Sequence, residues 1–323
     1  MTKASLTLLT ALLSCRPALG GEAAGTFKTF KLRSGAYERS YGVYAPARLA
    51  PSQKLPLVVA LHGGGGKAAS MRRISRNGFE TLADAHGALV AYPQGVDKHW
   101  NDTRGDLTRK AQRENIDDVA FLRAMVKEIS GRYPVDPARV YATGISNGAM
   151  MSYALACGAA DIFAAVAPVA GAMPEKLLAA CDPSRPVPVL IISGTDDNLV
   201  HWEGGDVTGP FGKRKFGRVI SVEKSRDFWL KNDACDLSKK TVSSRDEDAK
   251  DGTSLSREVY PSCAGGSAVE LIRIEGGGHT WPGGRQYLGE WLVGKTSQEL
   301  SACSEIWGFF LKHRLPRAEA GPG

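Results

Sequence analysis

Past its first twenty residues the sequence has no apolar run long enough for a membrane-spanning helix, which takes about 20 residues. It also has no Cys-x-x-Cys pair and no His/Cys ligand spacing, so a structural zinc site is not expected and no metal is called for. Basic residues are scattered except for Lys213-Arg214-Lys215, which reads as a solvated loop. The formal charge of +7, to which Lys3 and Arg16 contribute, therefore marks no nucleic-acid-binding face. Near-average Pro and charge contents argue against repeats or disorder, and there is no Ser/Thr/Pro linker or second module for gripping an insoluble polymer. Histidine is scarce too, with only six in the chain.

What is present suits one catalytic domain: 323 residues, 43% of them hydrophobic, can bury a full α/β core. Residues 1–20 read as a signal peptide, with Lys3, the apolar stretch Leu6 to Leu13 and small residues around Ala18-Leu19-Gly20. Leu12-Leu13-Ser14-Cys15 offers a rival reading, with a lipid anchor at Cys15. The domain is expected over 26–315, and 316–323 reads as a frayed tail. Export agrees with the cysteines outside the leader: Cys157 is expected to pair with Cys181 and Cys235 with Cys263 by proximity along the chain, leaving Cys303 over.

Thr26 to Leu32 and Arg39 to Tyr44 interleave apolar and polar side chains, as half-buried antiparallel edge strands do. Leu55 to His62, Ala88 to Tyr92, Val140 to Gly144, Ala164 to Val169, Val189 to Gly194 and Val269 to Ile274 are short apolar runs, suited to parallel strands buried on both faces. Helical stripes fall between them. Val119, Leu122, Met125, Val126 and Ile129 form one, with Asn115, Asp117 and Asp118 as capping and loop-anchoring candidates; Val219 to Leu230 and Ser304 to His313 read alike. The fold expected is a mostly parallel, doubly wound α/β sheet with antiparallel N-terminal edge strands. Two loop-rich stretches, Tyr92 to Asn115 and His201 to Arg218, should form the rim of a site beyond the carboxyl ends of the strands.

The strongest motif is Gly144-Ile145-Ser146-Asn147-Gly148, set between a strand-like run and the helix-like run Ala149 to Leu155. A serine on so sharp a turn is a nucleophile candidate, and small flanking residues let strand and helix come close. It needs a base, and the base needs an acid to orient it. In hydrolases of this α/β type the order is Ser, Asp/Glu, His. The turn Gly194-Thr195-Asp196-Asp197 supplies Asp197, with Asp196 as its rival; Gly276-Gly277-Gly278-His279 supplies His279, which elimination among the histidines also selects. Oxyanion donors are expected at the backbone of Asn147 and of Gly64, with Gly63 or Gly65 as alternatives. Trp100, Trp202 and Trp281 lie in loops around the expected site, where they would stack an acyl group or a sugar.

Together, Leu61-His62-Gly63-Gly64, Tyr92-Pro93-Gln94-Gly95, Trp100-Asn101-Asp102, Asp117-Asp118-Val119, Gly144-Ile145-Ser146-Asn147-Gly148, Gly194-Thr195-Asp196-Asp197 and Gly278-His279-Thr280-Trp281-Pro282-Gly283 resemble the polyhydroxybutyrate depolymerase and feruloyl esterase family, from about Thr26 to His313. The resemblance implies a secreted α/β-hydrolase esterase with Ser146, Asp197 and His279 as its triad. It departs at Gly64, where some relatives have cysteine, and at His201, where proline often follows the acid turn. No metal or organic cofactor is expected, and the partner is a small or oligomeric ester, not nucleic acid. The family spans polyester depolymerases, feruloyl esterases and acetyl xylan esterases, and a fold does not choose among them. Acyl transfer on the same triad, or a non-catalytic exported carbohydrate-binding protein, are the rival functions.

Overall fold

The computed structural model describes residues 25–47, 53–209, 214–247 and 249–316. The expected signal peptide, Cys15 and all of the expected tail except Pro316 lie outside them. Twelve strands are formed: β1 (Thr26–Ser34), β2 (Tyr37–Ala45), β3 (Leu55–Leu61), β4 (Leu89–Pro93), β5 (Val135–Ile145), β6 (Ala165–Val169), β7 (Val189–Gly194), β8 (Gly205–Thr208), β9 (Lys215–Val219), β10 (Thr241–Arg245), β11 (Ser254–Tyr260) and β12 (Val269–Glu275). Ten of them make one sheet in the order β1-β2-β4-β3-β5-β6-β7-β12-β11-β10. Its middle, from β4 to β12, is parallel. The pairs at both margins run antiparallel.

The parallel strands are apolar because both their faces are covered. Helices α1 (Ala68–Ile74) and α2 (Gly78–His86) lie against one face, and α3 (Lys110–Arg113) belongs to the rim; α4 (Asp118–Arg132) and α5 (Asn147–Gly158) cover the opposite face. Short α6 (Glu175–Ala180) is followed by α7 (Val222–Asn232) on the α4–α5 side, then α8 (Glu290–Val293) and α9 (Ala302–Phe310), the last packed beside α2. Phe121, Leu122, Met125, Val126 and Ile129 form the buried stripe of α4, and Asp117 caps it by accepting from Ala120 N–H at 2.8 Å. Asp118 is instead wholly buried, where it anchors the rim. It takes Arg39 at 2.6 Å and the Asn101 N–H at 2.7 Å.

The antiparallel pair β10–β11 at the far margin was not expected from sequence. All five residues of β10 are exposed, so no apolar alternation marks it. Disulfides join Cys157 to Cys181 and Cys235 to Cys263, and Cys303 is a buried free thiol. Among the described residues no helix is long and apolar enough to cross a membrane.

Candidate active site

Four parallel strands, β3, β5, β7 and β12, deliver their carboxyl-terminal loops to one edge of the sheet. At the end of β5 the chain turns straight into α5. Ser146, the turning residue, has φ 58° and ψ −119°, a conformation costly to any side-chain-bearing residue. The cost is held in place by close packing. A Cβ on Gly148 would stand 2.5 Å from the Leu61 carbonyl oxygen, and one on Gly144 would stand 2.7 Å from the Gly148 backbone, so glycine is required on both sides of the turn.

The loop after β7 places Asp197, not Asp196, inside the protein. Asp197 Oδ1 accepts from the N–H groups of Leu199 and Val200 at 2.9 and 2.8 Å, which aims Oδ2 at His279. His279 Nδ1 donates to that oxygen at 2.7 Å, both groups being buried. Asp196 is exposed and accepts only from Thr195 Oγ1, at 3.2 Å. His279 is carried there by a loop that leans on α8: its N–H donates to Val293 O at 2.5 Å, and a Cβ on Gly278 would stand 2.2 Å from the same oxygen.

Ser146 and His279 line one cavity of about 400 Å³, together with Gly63, Gly64 and Asn147. The geometry leaves Ser146 Oγ and His279 Nε2 each without a hydrogen-bond partner among the described residues.

Backbone donors face the same space. As the first residue of α5, Asn147 has an N–H that the helix leaves unbonded, at the positive end of its dipole. In the glycine run, the Gly65 N–H is taken by Lys98 O at 2.9 Å and the Gly66 N–H by Gly63 O at 3.0 Å, which removes Gly65 from the three alternatives. Gly63 and Gly64 remain, and His62 orients the Gly63–Gly64 peptide. Its Nδ1 donates to Gly63 O at 2.8 Å while its Nε2 accepts from Gly95 N–H at 3.0 Å and Gln94 Nε2 at 3.1 Å. Because a trans peptide directs C=O and N–H oppositely, fixing Gly63 O on the His62 side turns the Gly64 N–H away from it. Burial holds the His62 imidazole neutral, with its pKa down to about 4, as this one-donor, one-acceptor pattern requires.

The Asn147 side chain ties this turn to the rim. Its Oδ1 accepts from Trp100 N–H at 2.8 Å, and its Nδ2 donates to Trp100 O at 3.1 Å and to Asp102 Oδ2 at 2.6 Å.

The three tryptophans expected to touch substrate do not line the cavity. Trp100 lies beneath His62 and donates to its carbonyl at 2.9 Å, Trp202 packs under Arg273, and Trp281 meets Phe79 edge to face; all three are buried. Large apolar rings in loops near a site go to the protein interior when an apolar surface lies within reach. Phe216 and Tyr287 stand in the wall instead, with Arg73, Arg104 and Arg109. Phe216 lay within a stretch expected to form the rim. Arg104 and Arg109 lay within the other stretch expected to form the rim, and Arg73 in neither.

A sequence profile described as Esterase PHB depolymerase matches residues 39–182. Over 278 residues the chain is 36% identical to NocK of Nocardia uniformis subsp. tsuyamanensis, which is named an esterase; the match covers 84% of this chain and 79% of that one. It is 32% identical to feruloyl esterase B of Piromyces equi, covering 72% of this chain but 41% of that longer protein. Among solved structures, an acetyl xylan esterase from Aspergillus awamori superposes with a TM-score of 0.53 at 16% identity, over 78% of this chain and 94% of that one, a likeness of fold. The sheet order and the loops at its carboxyl edge are thus those of an α/β-hydrolase, and the chain belongs to the Esterase PHB depolymerase family, as a carboxylic ester hydrolase.

Proposed function

We propose that the protein is a secreted serine esterase working through an acyl-enzyme, with Ser146 as nucleophile, His279 as base and Asp197 as the group that orients it. The observation that carries this reading is the buried 2.7 Å Asp197–His279 pair facing the same cavity as the strained Ser146. Nδ1–H bonded to a carboxylate leaves Nε2 as the acceptor, the tautomer that a general base needs. Catalytic hydrogen bonds are commonly loose before substrate arrives, so the serine–imidazole bond closes in the substrate complex. Ser146 Oγ attacks the ester carbonyl as His279 takes its proton. The N–H groups of Asn147 and Gly64 hold the oxyanion, His279 returns the proton to the departing alcohol, and water repeats the sequence to free the acid.

Relatives named as feruloyl esterases, and a poly(3-hydroxyalkanoate) depolymerase C of Paucimonas lemoignei 37% identical over 123 residues, support two substrate classes: feruloyl or acetyl esters of saccharides, and hydroxyalkanoate oligomers. Two disulfides support export, since such bonds persist in oxidising compartments. Ser146→Ala tests the mechanism: turnover of a p-nitrophenyl ester is expected to fall by about 10⁴-fold or more while the thermal midpoint holds. Retained turnover would reject the serine assignment.

A further inference from the structure

The cavity beside Ser146 has an unusual electrical lining. Three arginines, Arg73, Arg104 and Arg109, contribute to its wall, and among the described residues no aspartate or glutamate does. Arg104 is the telling one, with a side chain only 5% exposed. Burying a guanidinium is costly unless its donors are met, and here they are met poorly. Nη1 bonds the Met150 thioether sulfur at 3.0 Å and sits 3.0 Å from Asp102 Oδ2; Nη2 comes no nearer than 3.9 Å to Asp106 Oδ2; Nε has no partner. Arg109 reaches Asp106 at 3.4 Å through Nε and lies 4.6 Å from the Phe216 ring centroid. Arg73 has no ion-pair partner among the described residues, and it is exposed at the opening.

Asp102 and Asp106 are buried behind this wall: the Asp102 oxygens meet Arg104, Gln112 and Asn147, Asp106 Oδ1 meets Thr108, and Asp106 Oδ2 makes no hydrogen bond, with Arg109 at 3.4 Å and Arg104 at 3.9 Å as its nearest cations. Two carboxylates against three guanidiniums leave an excess of positive charge on this wall, while the remaining carboxylate near the cavity, Asp197, is engaged by His279 and two backbone N–H groups. A neutral sugar ester gives those donors nothing charged to meet. A carboxylate gives a planar acceptor that matches a guanidinium fork, in a recess where water competes little. The apolar part of the wall, including Leu199, Val207 and Phe216, suits a short aliphatic chain beside it.

We infer that the preferred substrate is an ester carrying a free carboxylate, held by Arg104 and Arg109 with Arg73 at the mouth, as in the free-acid end of a short hydroxy-acid oligoester. This rests on the serine-esterase reading for the position of the scissile bond, but the recognition itself does not depend on turnover. It favours short free-acid oligoesters over neutral saccharide esters within that reading.

The experiment compares hydroxybutyrate dimer as free acid with its methyl ester, and monomethyl with dimethyl succinate. Binding is measured by calorimetry on the full chain bearing Ser146→Ala, and kcat/KM on the unmodified enzyme. The free acid is expected to bind at least tenfold more tightly in one of the two series, the dimer if the carboxylate belongs to the alcohol part and the succinate if it belongs to the acyl part. That advantage should shrink in Arg109→Gln and Arg73→Gln, whose side chains are partly exposed and removable without opening the core, and should weaken as salt rises. Arg104→Gln should erase it if that variant folds. Equal binding of acid and methyl ester in both series, or an advantage untouched by Arg109→Gln and Arg73→Gln together, overturns the inference. Turnover that survives Ser146→Ala overturns the serine mechanism and leaves the binding comparison standing.

Discussion

At the level of single residues, His62 does most without lining the cavity at all. One of its nitrogens holds the Gly63 carbonyl and the other holds the Gly95 amide, so a single ring fixes the peptide whose N–H is proposed to meet the oxyanion. Replacing it by alanine frees that peptide to turn. His62→Ala is expected to lower kcat by about tenfold to a hundredfold, short of the roughly 10²–10³-fold loss of an oxyanion donor itself, with a much smaller change in KM. Steady-state kinetics on a p-nitrophenyl ester checks it, and a KM effect larger than the kcat effect would reject the positioning role. The serine turn was legible in sequence because its glycines are demanded by backbone contacts that leave no freedom of residue type. The tryptophans misled because the same side chain serves a wall or a core, and sequence does not say which apolar surface lies nearest.

Among elements, the rim segment from Gln94 to Asp106 is fastened by buried polar groups and not by regular structure. Arg39 and Asp118 form an ion pair with side chains 2% and 0% exposed, and Arg39 also donates to Gln94 O while Asp118 accepts from Asn101 N–H. Burial pushes the Asp118 carboxyl up, against the pull of Arg39. Removing one member strands the other's charge, so Asp118→Ala is expected to cost about 3–5 kcal/mol. Urea unfolding measures this, and a loss below about 1 kcal/mol would show the pair to be dispensable. Strands of the parallel core were readable because burial on both faces leaves unbroken apolar runs. The hairpin β10–β11 and the two-stranded β8–β9 were not, since their stability comes from pairing with neighbours and their polar faces carry no period.

Over the whole molecule, burial lowers the pKa of three histidines, His62, His99 and His313, and makes stability depend on pH. Burial lowers both His62 and His313 to about 4, against about 6.5 in an unfolded chain. Between these values the unfolded chain binds protons that the folded one refuses, so stability is fully present above about pH 6.5 and drains away as pH falls toward 4. Denaturant midpoints measured across that window should decline steadily, and His313→Gln should flatten the slope. A midpoint constant from pH 7 to pH 4.5 would contradict the burial argument.

The Asn147 side chain joins the helix that follows the proposed nucleophile to Trp100 and Asp102. One bank of the cavity is thereby welded to the reaction centre, and any redrawing of it disturbs the chemistry. Leu199 is tied in as well, its N–H holding Asp197 Oδ1, whereas the part of the wall where Val207 and Phe216 stand carries no such weld. New substrate tastes can be acquired there by substitution without retuning the engine, so an effort to redirect this enzyme should spend its diversity on that side.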